Sequence, residues 1–192
     1  GPDSNPSDTL YMGASPAPRV LGLVTIRPYT TADASRLHAA VEESIATVGR
    51  WLPWCHPGYQ LADAQAWIAE APARWTVGLD HRFGIIDSES HELLGGVGIN
   101  RIVREHAMGN LGYWVRSNAV GRGVAPLAAT LAARFGLADV GLSRLEIVIP
   151  VGPGGIPRSN ICGLLRRWRS CSPIRERRRW TGRRQSCSHW RS

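Results

Sequence analysis

The sequence predicts an α+β fold, a mixed α/β arrangement in which helices flank a central, mostly antiparallel twisted sheet. Three observations carry that expectation. Several short stretches rich in Val and Ile are joined by polar turns, as in antiparallel neighbours. Two helical patterns stand together after the first strand, and a single Ala- and Leu-rich helix separates the last two strands, which suits one crossover connection. The order is β-α-α-β-β-β-α-β.

Leu21 to Tyr29 reads as a β-branched first strand that Pro28 ends, because proline has no N–H to continue a ladder. Thr30 and Thr31 are N-cap residues for the first helix, and Asp33 lies in its first turn, where a carboxylate suits the helix dipole. Leu37, Val41, Ile45 and Val48 fall on one face and carry that helix to about Val48, with Gly49 as its end. After the loop Trp51 to Tyr59, a second helix runs from Leu61 to Ala71 and stops before Pro72. Strands follow at about Arg82 to Asp87, Leu93 to Arg104 and Asn110 to Val115, with turns at Ser88 to Glu92 and Glu105 to Gly109. Ser117 to Ala125 leads into a helix that reaches Leu137, with Pro126 accommodated in the first turn. Leu145 to Val151 is a last strand.

The chain of 192 residues suits one domain. Its charge is unevenly placed: residues 1–150 hold 12 Arg against 14 Asp and Glu, a net of −2, whereas residues 151–192 hold 11 Arg against the single acid Glu176, a net of +10. This separates an arm at 1–19, whose Gly1-Pro2 resembles the scar of a tag-cleaving protease, a domain at 20–151 and a tail at 152–192. Cys55 is the only Cys before the tail, so no disulfide framework is expected there. Cys162, Cys171 and Cys187 lack a Cys-x-x-Cys pair, so no metal site is expected. No apolar run approaches the ~18–20 residues that span a bilayer, and the start has no leader pattern, so the expected location is cytoplasmic and without membrane partners.

The strongest chemical signal is the strand Leu111-Gly-Tyr-Trp-Val115 running through Asn118 into Gly121-Arg-Gly123-Val-Ala125 at a helix start. Two glycines allow close backbone approach, and the free N–H groups of a first helical turn form an anion site suited to pyrophosphate. The missing Gly-Lys-Ser/Thr excludes a nucleoside-triphosphate P-loop.

The run from Ile26 to Val151 resembles the GNAT family of acyl-CoA-dependent N-acyltransferases, and within it the RimJ/RimL type that acetylates N-terminal amines of ribosomal proteins. The resemblance lies in Ile26-Arg-Pro28, Leu52-Pro-Trp54 with His56-Pro57, Gly95-Gly-Val-Gly98, Gly112-Tyr-Trp114 and Gly121-Arg-Gly123-Val-Ala125. It implies acetyl-CoA as co-substrate, no metal, and an amine acceptor such as a peptide N-terminus. It further implies pantetheine contacts at Trp114 and Val115, and a pyrophosphate cradle at Gly121, Arg122, Gly123, Val124 and Ala125. Asn118 stands where the family usually has Gln or Arg, and Asn110 where many members have Glu. Glu105 is therefore the candidate base, with His106 beside it; Ser159 lies near the family's thiol-protonating Ser; and Trp54, His56 and Tyr59 are candidates for the acceptor wall, with Trp51 nearby. Glu42 and Glu43 could attract a cationic amine or simply form a solvated helix face. Homodimers are common among such proteins.

Direct attack on a thioester needs a neutral amine, which an N-terminus with pKa near ~8 supplies far more readily at pH 7 than a Lys near ~10.4. The tail departs from the family: where a helix and two strands are expected, the chain reads as Arg, Trp and Ser. Shifted GC-rich codons would produce that composition, so the tail is expected to be out of frame. Arg interleaved with Trp would also suit nucleic acid, but the tail lacks the pattern of a known reader.

Overall fold

The computed structural model describes residues 16–148. Ser159 and the whole tail lie outside the described residues, as does the arm through residue 15. Six strands form one sheet in the order β1 to β6: β1 (Arg19–Leu21), β2 (Val24–Pro28), β3 (His81–Asp87), β4 (Leu93–Val103), β5 (Met108–Val115) and β6 (Arg144–Glu146). All neighbours are antiparallel except β5 and β6, which the crossover helix α3 (Val124–Ala138) makes parallel. The other two helices, α1 (Ala34–Ser44) and α2 (Leu61–Thr76), precede β3. This is the mixed α/β architecture that the sequence predicts.

Three local details differ from the sequence reading. The first strand is a hairpin: Gly22, at φ +58°, turns the chain between Leu21 and Val24. Regular α1 ends at Ser44, and the face that was expected to reach Val48 continues as turns, with the Val48 N–H donating to Ser44 O at 2.7 Å. Third, α2 passes through Pro72 to Thr76. A proline inside a helix costs ~3 kcal/mol. That cost is offset because the buried stripe Ala64, Ile68, Ala71 and Trp75 continues beyond it, and burying Trp75 requires the final turn.

The buried groups lie on the two faces of the sheet. On one, Ile26, Phe83, Ile85, Val97, Ile99 and Leu111 pack against the small residues of α3 and its Phe135. On the other, α1 and α2 cover Tyr29, Ile86 and Leu93. Asp33 shows how polar groups enter this second layer. Its carboxylate is buried and accepts both Arg27 guanidinium nitrogens at 2.7 and 2.8 Å and the Thr30 N–H at 2.8 Å. Burial alone would raise its pKa; the Arg27 and Thr30 bonds outweigh that and hold it below the ordinary carboxylate value.

His81 is the opposite case. It is buried edge-on against Trp75 and Phe135, and neither ring nitrogen has a hydrogen-bond partner among the described residues. Burial lowers its pKa to about 4, although adjacent Asp80 pulls the other way. The folded protein therefore holds His81 neutral where the unfolded chain, at 6.5, takes up a proton. Stability should fall as pH drops from about 6.5 to about 4, by on the order of 3 kcal/mol at ~1.36 kcal/mol per unit. Urea midpoints of wild type and His81→Leu across that range check this; the variant should have a flatter profile, and parallel profiles would refute the assignment.

Candidate functional site

A cleft of about 1390 Å³ opens where β5 parts from β6. In the described residues β6 pairs only with Met108, Gly109 and Asn110, so beyond Asn110 that edge of β5 has no strand beside it. The register fixes which groups face the gap. The Arg116 N–H donates to Leu94 O at 2.8 Å, and Trp114 stands opposite Gly96 in the same ladder. Alternate residues of a strand present their N–H groups to opposite sides, so Leu111, Tyr113 and Val115 direct theirs away from β4; the pairing of Asn110 with Glu146 takes up that of Leu111, and Tyr113 and Val115 lie beyond it on the cleft wall.

The glycines of β4 make this close arrangement possible. At Gly95, with φ +153°, a Cβ would sit 2.2 Å from the Trp114 carbonyl oxygen. Tyr29 braces the same point from below, its hydroxyl donating to Gly95 O at 3.4 Å.

Past Val115 the chain makes one short 3-10 turn at Ser117–Ala119 and reaches Gly121 and Gly123, at φ +82° and +75°. Both glycines are required by conformation, since no atom lies within 4 Å of a Cβ built on either. Among the described residues the N–H groups of Gly121, Arg122, Gly123 and Val124 have no backbone acceptor, and the α3 dipole stands behind them. Gly121, Gly123, Val124 and Ala125 line the cleft, as do Trp114 and Val115. Asn118 and Arg122 are outside that lining. The Asn118 N–H donates to Glu43, and Arg122 pairs with Asp87 at 3.2 Å. Asp87 in turn accepts the Ser90 and Glu89 N–H groups, which lower its pKa.

At the other end of the cleft the Trp51 to Tyr59 loop forms an aromatic wall. The Trp54 ring lies edge-on to Tyr59 at 6.4 Å and to Trp114 at 5.6 Å, so the indole of Trp114 joins the wall while its backbone belongs to β5. Burial raises the Tyr59 pKa to about 12, which keeps its hydroxyl protonated. His56 Nδ1 accepts the Gly58 N–H at 3.1 Å, which leaves Nε2 as the proton-bearing nitrogen of the neutral ring. Opposite the loop, the Arg82 guanidinium stacks on Trp67 at 4.5 Å and is held by Asp80 at 3.1 Å.

Glu105 does not join this group. It is exposed in the turn between β4 and β5 and is not part of the cleft lining, and the same is true of His106. Asn110 does line the cleft, its amide nitrogen donating to Asn100 at 2.9 Å. Asp63 and Glu70 are cleft-lining carboxylates that the sequence reading passed over; their place on α2, one and eight residues after the Leu61-Ala start of the second helical pattern, could have marked them. Among the described residues no group of His, Cys, Asp and Glu is arranged to hold a metal, and no helix is long and apolar enough to cross a membrane.

The fold is matched elsewhere. A family model of the acetyltransferase (GNAT) domain matches residues 24–151. Among solved structures, a ribosomal-protein-S5-alanine acetyltransferase from Vibrio fischeri superposes with a TM-score of 0.64 at 16% identity, covering 79% of this chain and 81% of that one. Mycobacterium smegmatis RimJ, in complex with CoA-disulfide, gives 0.62 at 20% identity over 74% of this chain and 68% of its own. A microcin C7 self-immunity acetyltransferase in complex with acetyl-CoA and AMP gives 0.61 at 16% identity, over 70% and 73%. Likeness at these identities reports a shared fold. No curated protein matches the chain.

Proposed function

Because the chain belongs to the GNAT acetyltransferase family, we propose that it transfers the acetyl group of acetyl-CoA to a primary amine, with a protein or peptide N-terminus as acceptor. The observation that carries this reading is a line of main-chain groups along the cleft: the side of β5 that Val115 turns away from β4, and then the N–H groups of Gly121 to Val124 at the start of α3, which have no backbone acceptor among the described residues. A ligand with amide groups at one end and a pyrophosphate at the other fits that line.

Acetyl-CoA bound in this way places its thioester near the inner end of β5, and an outward N–H of that strand would stabilise the oxyanion as the amine attacks. The aromatic wall of Trp54, His56 and Tyr59 receives the acceptor. Asn110 is neutral and Glu105 is off the lining, so the amine proton passes through water in the open cleft toward the groups that do line it, His56, Asp63 and Glu70. A site with a neutral Asn110 rather than a carboxylate on the strand beside the thioester suits an amine that is already partly neutral. At pH 7 an N-terminus near pKa ~8 is favoured over Lys near ~10.4 by about 3 kcal/mol at ~1.36 kcal/mol per unit. The comparison structures named for ribosomal-protein substrates agree with this choice of acceptor.

The experiment is mass spectrometry of two peptides incubated with the protein and acetyl-CoA, one with a free N-terminus and no Lys, the other Nα-blocked with one Lys. Acetylation of the first, with a rate that rises between pH 6 and pH 8, is expected. Modification of the Lys peptide alone would overturn the acceptor assignment. Acetyl-CoA binding without transfer to either peptide or to small amines would make the protein a binder rather than an enzyme.

A further inference from the structure

The phosphate-binding loop has almost nothing of its own to hold it in shape. Among the described residues, Gly121 and Gly123 have no atom within 4 Å of a built Cβ, and four successive N–H groups are left without backbone acceptors. Arg122 ties it to Asp87, and its approach is held by groups 70 to 75 residues earlier, in and just after the last turn of α1. Glu43 Oε2 takes Arg116 Nε at 2.7 Å, and Glu43 Oε1 accepts the Asn118 N–H at 3.1 Å. Ser44 Oγ donates to Ala40 O at 2.7 Å and accepts the Ser117 N–H at 3.2 Å. The Thr47 and Ser117 hydroxyls share a further bond at 2.7 Å. These contacts all fall on residues 116–118, between the open edge of β5 and the two glycines.

We propose that Glu43 is a positioning residue that latches the cofactor loop, setting the distance between the donors of β5 and those of the α3 start. The inference rests on the acetyl-CoA reading above. A ligand that uses both sets of donors binds only when their separation is right, and a loop already held there loses less entropy on binding. The latch also has an electrostatic side. Glu43 stands beside a site for a dianion, and Arg116, only 17% exposed, neutralises it together with Glu92, which it meets at 2.6 Å. Removing Arg116 alone would leave the Glu43 and Glu92 carboxylates without their shared cation, just ahead of the loop that carries the donors. Removing both Arg116 and the Glu43 charge would relieve part of the resulting repulsion.

Full-length wild type, Glu43→Gln, Glu43→Ala, Arg116→Gln and the double variant Glu43→Gln/Arg116→Gln are compared by calorimetry with acetyl-CoA, by steady-state kinetics and by thermal melting. The acetyl-CoA KM should rise about threefold in Glu43→Gln and about tenfold in Glu43→Ala, the scale of losing one and then several charge-assisted bonds on a part-exposed pair, with kcat within about twofold of wild type. Arg116→Gln should be weaker than the double variant. A merely structural role would lower the melting temperature and the active fraction, hence kcat, and leave KM alone. A Glu43→Gln or Glu43→Ala protein that melts as a folded domain and binds acetyl-CoA as tightly as wild type overturns the latch. Wild type that does not bind acetyl-CoA overturns the cofactor reading and the latch with it.

Discussion

Gly123→Val should lower acetyl-CoA affinity by at least about a hundredfold, equivalent to about 2.7 kcal/mol, while leaving a folded domain. Two effects act at that position. Gly123 has φ +75° and ψ +10°, a left-handed conformation that costs a side-chain-bearing residue ~1–2 kcal/mol and a β-branched one more. Relief of that strain would rotate the Gly123 and Val124 N–H groups out of the cleft, and the new methyl groups would stand in the open space in front of them. Gly123→Asn separates the two effects, because Asn tolerates the left-handed region and strains the backbone less; its loss should fall between wild type and Val. Calorimetry with acetyl-CoA and a thermal melt of each variant provide the check. Binding by Gly123→Val within threefold of wild type would show that the cofactor does not use this turn.

The largest expected effect on stability is at Phe135, on the inner face of α3. The ring is fully buried, with edge contacts to Phe83 at 5.1 Å and His81 at 5.3 Å and a tilted contact to Trp75 at 5.6 Å. On its outer side the Arg19 guanidinium lies 5.4 Å from the centroid, so one side chain ties β1, α2, β3 and α3 together. Phe135→Ala removes the transfer energy of the ring and leaves a cavity among rigid aromatic neighbours that cannot close over it. The cost should be about 3–5 kcal/mol, set against a total of roughly 5–15 for a domain. The variant should therefore unfold at markedly lower urea, with the midpoint falling by roughly 2 M for a slope near 2 kcal/mol/M. Phe135→Leu should lose less than half as much. An Ala variant within about 1 kcal/mol of wild type would mean that the cluster repacks freely, contrary to the crowding seen here.

Much of the fold was legible because the relevant information is local. Strands β3 and β4 announce themselves by Ile, Leu and Val between polar turns, β5 by Leu111, Tyr113, Trp114 and Val115, and the Gly121 to Ala125 segment by glycines just ahead of a helix. The readings that failed were those in which a distant partner outweighs a local rule. Pro72 suggested a helix end, yet the stripe ending in Trp75 carries α2 onward to Thr76. Gly22 passed for a strand residue, because a single glycine among Leu and Val does not reveal a hairpin. Glu43 read as one member of an acidic surface pair, and nothing near it in sequence points to Arg116, 73 positions later. Glu105 was chosen by its distance along the chain from the strand motif, whereas the turn at Arg104–His106 leaves it exposed and away from the cleft lining.

The donor line of the cleft is built from main chain, and this sets how the site can change over time. Since the peptide groups of Gly121 to Val124 do the work proposed for them, side chains at Asn118, Val120 and Arg122 can drift without erasing the site, provided the two left-handed turns remain accessible. Selection on such a loop acts on dihedral angles more than on side-chain chemistry. Structures only 16% identical to this chain keep the same fold, and a donor set made of main chain is free to outlast divergence of that depth while an aromatic wall, made of side chains, changes.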